Sequence, residues 1–169
     1  MNYVNHASIS LPANVFYQLE NSFLAESIRR SLWLYPFLEI VHIIGIVLLV
    51  GAVVMFDFRL IGLSKNLPLM LLGKHLLPWS LRALFLIIPS GVLLFITNAE
   101  TLGRDPTFWI KLTLILLAGL NAAFFHRFLL KSSRILNENF TPSPVVKVVA
   151  LLSITLWLAI IACGRLLAY

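Results

Sequence analysis

Four blocks of apolar residues, each close to the length that crosses a bilayer, constrain this chain more than any other feature. They fall at about 32–56, 76–97, 107–130 and 144–167. A hydrocarbon core about 30 Å thick takes about 20 helical residues, so each block reads as one transmembrane helix. Composition agrees: 60% of the 169 residues are hydrophobic and only 12% are charged, against roughly 25% in soluble domains. That is too little polar surface to cover a water-exposed globule. Backbone groups in lipid must be satisfied within the structure, and short links favour antiparallel neighbours. The expected fold is therefore all-α, an integral membrane up-down four-helix bundle.

The chain divides into a segment at 1–30 and the bundle at 31–169. Within the first, Val15, Phe16, Leu19, Phe23, Leu24 and Ile28 recur at steps of three to four. Gln18, Glu20, Asn21, Glu26, Arg29 and Arg30 fill the gaps. This pattern predicts an amphipathic helix in the membrane interface. Trp33 and Tyr35 then anchor the first span. Pro89 should kink the second span. Asp105 with Pro106, and Ser143 with Pro144, are N-cap and first-turn signals for the third and fourth.

The N-terminal stretch lacks a basic region followed by an apolar core and a cleavage site, so the first span is expected to be its own insertion signal. Cys163 is the single cysteine, which excludes disulfide frameworks and thiolate-built iron–sulfur or zinc sites. The net charge of +6 does not point to nucleic acid, because the cations flank the apolar blocks. Arg59, Lys65, Lys74, Arg127, Lys131, Arg134 and Lys147 lie on the side of the 1–2 and 3–4 loops; Arg29, Arg30, Arg104 and Arg165 lie opposite. That excess places the two loops in the cytoplasm and both termini outside.

Ionisable groups at membrane depth cost about 2.5 kcal/mol or more each on insertion scales and call for a function or a partner. They are Glu39 and His42 in span 1, His75 and Arg82 in span 2, Lys111 and His126 in span 3, and Arg165 in span 4, with the amide Asn121 beside them. Neutral imidazole is an axial ligand for haem iron, and bundles build cofactor sites from inward-facing side chains. His42 falls near the expected bilayer centre. His75 and His126 fall at comparable depths on antiparallel spans, which suits bis-histidine haem. Ala118, Gly119, Ala122 and Ala123 near His126, and Gly45 near His42, offer room for a flat macrocycle. Arg82 could meet a propionate. The bland alternative has the histidines hydrogen-bonded within the bundle and the small residues serving close packing. Glu39 would then pair with Lys111 or Arg165, Asp57 with Arg59 or Arg82, and Asn121 would bond across helices.

Two segments carry a resemblance. LEIVHIIGIVLLVGAVVMFDFRLIGL (38–63) resembles the first conserved span of the HemJ-type protoporphyrinogen oxidases and of copper-resistance D-like membrane domains. In both, a His one-third into the span precedes small residues and an Arg near the exit. FWIKLTLILLAGLNAAFFHRFL (108–129) is similar to their Lys-bearing span. The resemblance implies a bacterial inner-membrane protein, b-type haem on the His matched by His42, and a functional role for the Lys matched by Lys111. His75 and His126 are additions to that pattern.

Three functions follow as expectations. One is a haem b protein passing electrons between quinone, or a redox partner protein, and an acceptor. Another is copper handling through His42 and His126, for which Met1, Met55 and Met70 are sparse. The third is a cofactor-free structural or assembly subunit of a homo- or hetero-oligomer. Alternating-access transport is disfavoured in four spans without an internal repeat.

Overall fold

In the computed structural model, residues 11–63, 68–129 and 142–167 are described. They form seven α-helices and one π-helical turn, with no strand among the described residues. Two short helices, α1 (Leu11–Glu20) and α2 (Phe23–Arg30), precede the first long one, α3 (Leu34–Ile61). Then come α4 (Leu69–Thr97), the short α5 (Ala99–Arg104), α6 (Pro106–Phe124) with its π-helical extension Phe125–Leu129, and α7 (Pro144–Leu166). α3, α4, α6 with its extension, and α7 are each long and apolar enough to cross a membrane. The chain is a multi-pass membrane protein built as a helical bundle.

Local chemistry sets the helix ends. Asp105 accepts from the Thr107 N–H at 2.7 Å, with Pro106 at the first helical position. Ser143 accepts from Val146 at 3.4 Å ahead of Pro144. Both caps were expected from sequence. Replacing Asp105 by Ala should cost about 1 kcal/mol, as for other lost N-caps, read as a lower thermal midpoint in detergent. An unchanged midpoint would show that the α5–α6 junction does not depend on that cap. The amphipathic segment is two helices rather than one. It breaks at Asn21–Ser22, where the Ser22 hydroxyl accepts from the Ala25 N–H and starts α2.

Two boundaries differ from expectation. α3 continues to Ile61, past Asp57 and Arg59, which read as the exit of a span. Both side chains are buried in the bundle, so the helix has a reason to continue. It ends at Gly62, whose φ of 109° suits a residue without a Cβ. The Gly62 and Leu63 N–H groups cap the Arg59 and Phe58 carbonyls. α4 starts at Leu69, seven residues before the apolar block, because Lys74 and His75 sit in its first turns with their side chains outside the bundle. It runs on through Pro78 and Pro89. Just after Pro89 the Ser90 hydroxyl donates to the Leu86 carbonyl.

α3 packs against both α4 and α7, and α7 also packs against α6. Gly45 lets α3 approach α4 closely: a Cβ there would stand 2.7 Å from Ile87 Cγ1 and 3.2 Å from Leu86 Cβ. At one end Phe56, Leu60, Leu69, Phe125, Val146 and Ala150 form a buried cluster, with Phe56 and Phe125 edge to face at 5.7 Å. α1, α2 and α5 gather at the other end. There Arg29 donates to the Thr97 carbonyl at 3.1 Å, the Glu20 carboxylate accepts from the Glu100 N–H at 2.7 Å, and Phe16 packs on Phe95 and against Gly103. Phe23, Leu32 and Trp33 remain more than 80% exposed, as suits side chains anchored in a bilayer interface.

Candidate functional site

The five candidate residues separate into an inner pair and an outer set. His42 lies half-buried on α3 and faces α4, where its Nδ1 is 3.0 Å from the Ser90 Oγ. The ring rests on Gly91, where a Cβ would come within 3.0 Å of His42 Cε1. Serine has one hydroxyl proton, and that of Ser90 goes to the Leu86 carbonyl. Ser90 Oγ is thus the acceptor and His42 Nδ1–H the donor. This tautomer leaves the lone pair on Nε2, the nitrogen a metal would take.

Lys111 on α6 is also half-buried and stands close enough to His42 to act on it electrostatically. Its Nζ packs beside Gly164 on α7, 3.7 Å from where a Cβ would be, and Cys163 is close enough to act on it electrostatically. The ion pairs between described residues, Glu20–Arg29, Glu26–Arg30 and Glu100–Arg104, all lie in α1, α2 and α5. The expected Glu39–Lys111 pair does not form. Glu39 is exposed beside the Tyr35 hydroxyl.

His42 follows the start of α3 by eight residues, about 12 Å at the usual rise. It therefore sits toward the α5 side of the bundle rather than at its centre. The shift comes from the extra turn beyond Phe56, which moves the middle of α3 away from it. Gly45, expected to give a macrocycle room, is taken up by the contact with α4 instead.

His75 and His126 are not brought together. Both are exposed, and among the described residues α4 and α6 make no close backbone approach. His75 Nδ1 turns back to the Leu71 carbonyl at 3.0 Å. His126 lies in the π-helical turn, and Gly119, Ala122 and Ala123 on the preceding helix are exposed as well; a Cβ on Gly119 would meet nothing within 4 Å. Arg82 is exposed too, its guanidinium 5.3 Å from the centroid of the Trp79 ring. None of the three contributes to the surroundings of His42. Among the described residues no group of three or more His, Cys, Asp or Glu side chains is placed to hold a metal ion.

Where α4 and α6 do come together, Phe95 stacks on Phe108 with centroids 5.0 Å apart, at the α5 end. Asn121 makes the expected interhelical bond, donating to the Val149 carbonyl at 3.2 Å. Ser90 was not singled out from sequence, although a serine directly after a mid-helix proline was a usable signal. Asp57, expected to pair with Arg59 or Arg82, makes no ion pair with either among the described residues and has Ser153 on α7 placed beside its carboxyl group.

No curated protein and no solved structure matches the chain. A family model does match, over residues 16–169. The chain is a member of DUF6644, a family of unknown function.

Proposed function

We propose that this protein is a b-type haem-binding protein of the bacterial inner membrane, acting in electron transfer, in which His42 would ligate the haem iron. The observation that carries the reading is the fixed imidazole. Ser90 holds Nδ1–H, Gly91 supports the ring, and Nε2 keeps its lone pair in a water-poor bundle. Axial histidines are commonly oriented through their other ring nitrogen in this way.

Lys111 adds to it. A half-buried ammonium facing an imidazole, with no carboxylate partner among the described residues, suits the propionate of a haem. The residues present thus fit the group: His42 to ligate, Ser90 to orient, Lys111 to balance charge. When bound, haem supplies one-electron chemistry, with its potential set by ligand and burial. His75, His126 and Arg82 are left out of this site. Lipid surrounds the bundle, and quinone or a redox protein is the proposed electron partner.

The orientation proposed is cytoplasmic loops between α3 and α4 and between α6 and α7, with both termini periplasmic. Lys74, Arg127 and Lys147 flank those loops. Lys65, Lys131 and Arg134, which strengthen the same bias, lie outside the described residues.

The test is a reduced-minus-oxidised optical spectrum of detergent-purified protein made under haem-replete conditions, with metal analysis alongside. The reading expects a Soret band that shifts on reduction, and iron rather than copper. Copper without a Soret band would favour metal handling. Neither would leave a structural or assembly subunit.

A further inference from the structure

A second polar site lies in the other half of the bundle, away from His42. Asp57 on α3 is only 5% exposed. Ser153 on α7, itself buried, is placed to donate to its carboxyl group, while Oδ2 has no hydrogen-bond partner among the described residues. Leaving a buried carboxylate oxygen unsatisfied costs more than a neutral group would, so this position needs either a second partner or a neutral carboxyl.

Among the described residues, the ionisable groups on the elements around it do not bond Oδ2. Arg59, two residues on, is buried and has an interaction of its own, and it is not hydrogen-bonded to Asp57 Oδ2. Lys74 and His75 on α4, His126 and Arg127 on the π-helical turn, and Lys147 on α7 are exposed. A metal ion is a poor occupant. Hard cations take about six oxygen ligands, whereas this site offers one carboxyl and one hydroxyl, and no metal-binding group is found among the described residues. A proton needs neither number nor geometry.

We propose that Asp57 is a proton-binding site that exchanges with the side of the α3–α4 and α6–α7 loops, with Ser153 holding the carboxylate when the proton leaves. Asp57 lies five residues before Gly62, where α3 ends on that side, about 8 Å at the helical rise. The short distance gives a proton a brief path in. The site is independent of haem: it stands or falls without His42.

Dicyclohexylcarbodiimide tests it. This apolar reagent reacts with a protonated carboxyl, which adds across its N=C bond as the acid proton passes to nitrogen, leaving a stable acylurea after rearrangement. In full-length wild-type protein in detergent, peptide mass spectrometry should find the adduct on Asp57, with a yield that falls as pH rises. Asp57→Asn should abolish that adduct. Ser153→Ala, which keeps the carboxyl but removes its donor, should label about tenfold faster at a given pH, the size expected for a lost bond to a charged group. Should Asp57→Asn fail to fold, the wild-type pH profile and Ser153→Ala carry the test alone. An unlabelled Asp57 in folded protein, or labelling indifferent to pH and to Ser153, overturns the proposal. Labelling that persists in haem-free protein upholds it even if the haem reading fails.

Discussion

His42→Ala should remove haem from the purified protein, whereas the double variant His75→Ala with His126→Ala should keep it. The contrast follows from position. His42 is the candidate imidazole that is turned inward and fixed at Nδ1, while the other two rings are exposed on helices whose backbones make no close approach among the described residues. Losing an orienting partner of a metal ligand costs roughly 10- to 100-fold in affinity. That is the loss expected for Ser90→Ala, and losing the ligand itself should exceed it. Haem content per protein, measured as the pyridine complex, is the readout. If the double variant lost haem and His42→Ala kept it, the site would have been placed on the wrong helices. Equal losses would mean that the bundle, rather than a ligand, had been disturbed.

The second large effect concerns packing. Gly45→Val should prevent α3 from seating on α4. Even the first carbon of the new side chain would lie 2.7 Å from Ile87 Cγ1 and 3.4 Å from the Ala83 carbonyl oxygen. The oxygen belongs to helix backbone and cannot rotate away. Overpacking a well-filled core typically costs about 1–3 kcal/mol, and a helix forced outward here would also separate His42 from Ser90, one turn away. The variant should show a lower thermal midpoint in detergent and weaker haem retention together. Gly51→Val is the control, since a Cβ at Gly51 meets nothing within 4 Å. Equal midpoints for the two variants would contradict the close approach at Gly45.

The spans were legible in the sequence because lipid imposes a simple demand on length and polarity. Asp105 and Ser143 even gave two helix starts to the residue. The ends near charges were less legible, because Asp57 and Arg59 look like a boundary in sequence and only packing buries them. The candidate site was half legible. Residue type and depth suggested His42, the resemblance suggested Lys111, and these lie in one neighbourhood. Depth also paired His75 with His126, but depth along a helix does not state which way a side chain faces. Around each helix that choice is made by neighbours, and the backbones of α4 and α6 make no close approach among the described residues. Small residues were similarly ambiguous. Gly45 serves a helix contact and Gly91 a ring contact, while Gly119 faces open space.

Hyperfine spectroscopy on protein carrying nitrogen-15 in its histidines tests the central claim most directly. In the oxidised haem-loaded form, the account predicts imidazole nitrogen coupling to the iron that survives loss of His75 and His126 and disappears with His42. Coupling that persists in His42→Ala, or iron without any imidazole nitrogen in the wild type, would contradict it.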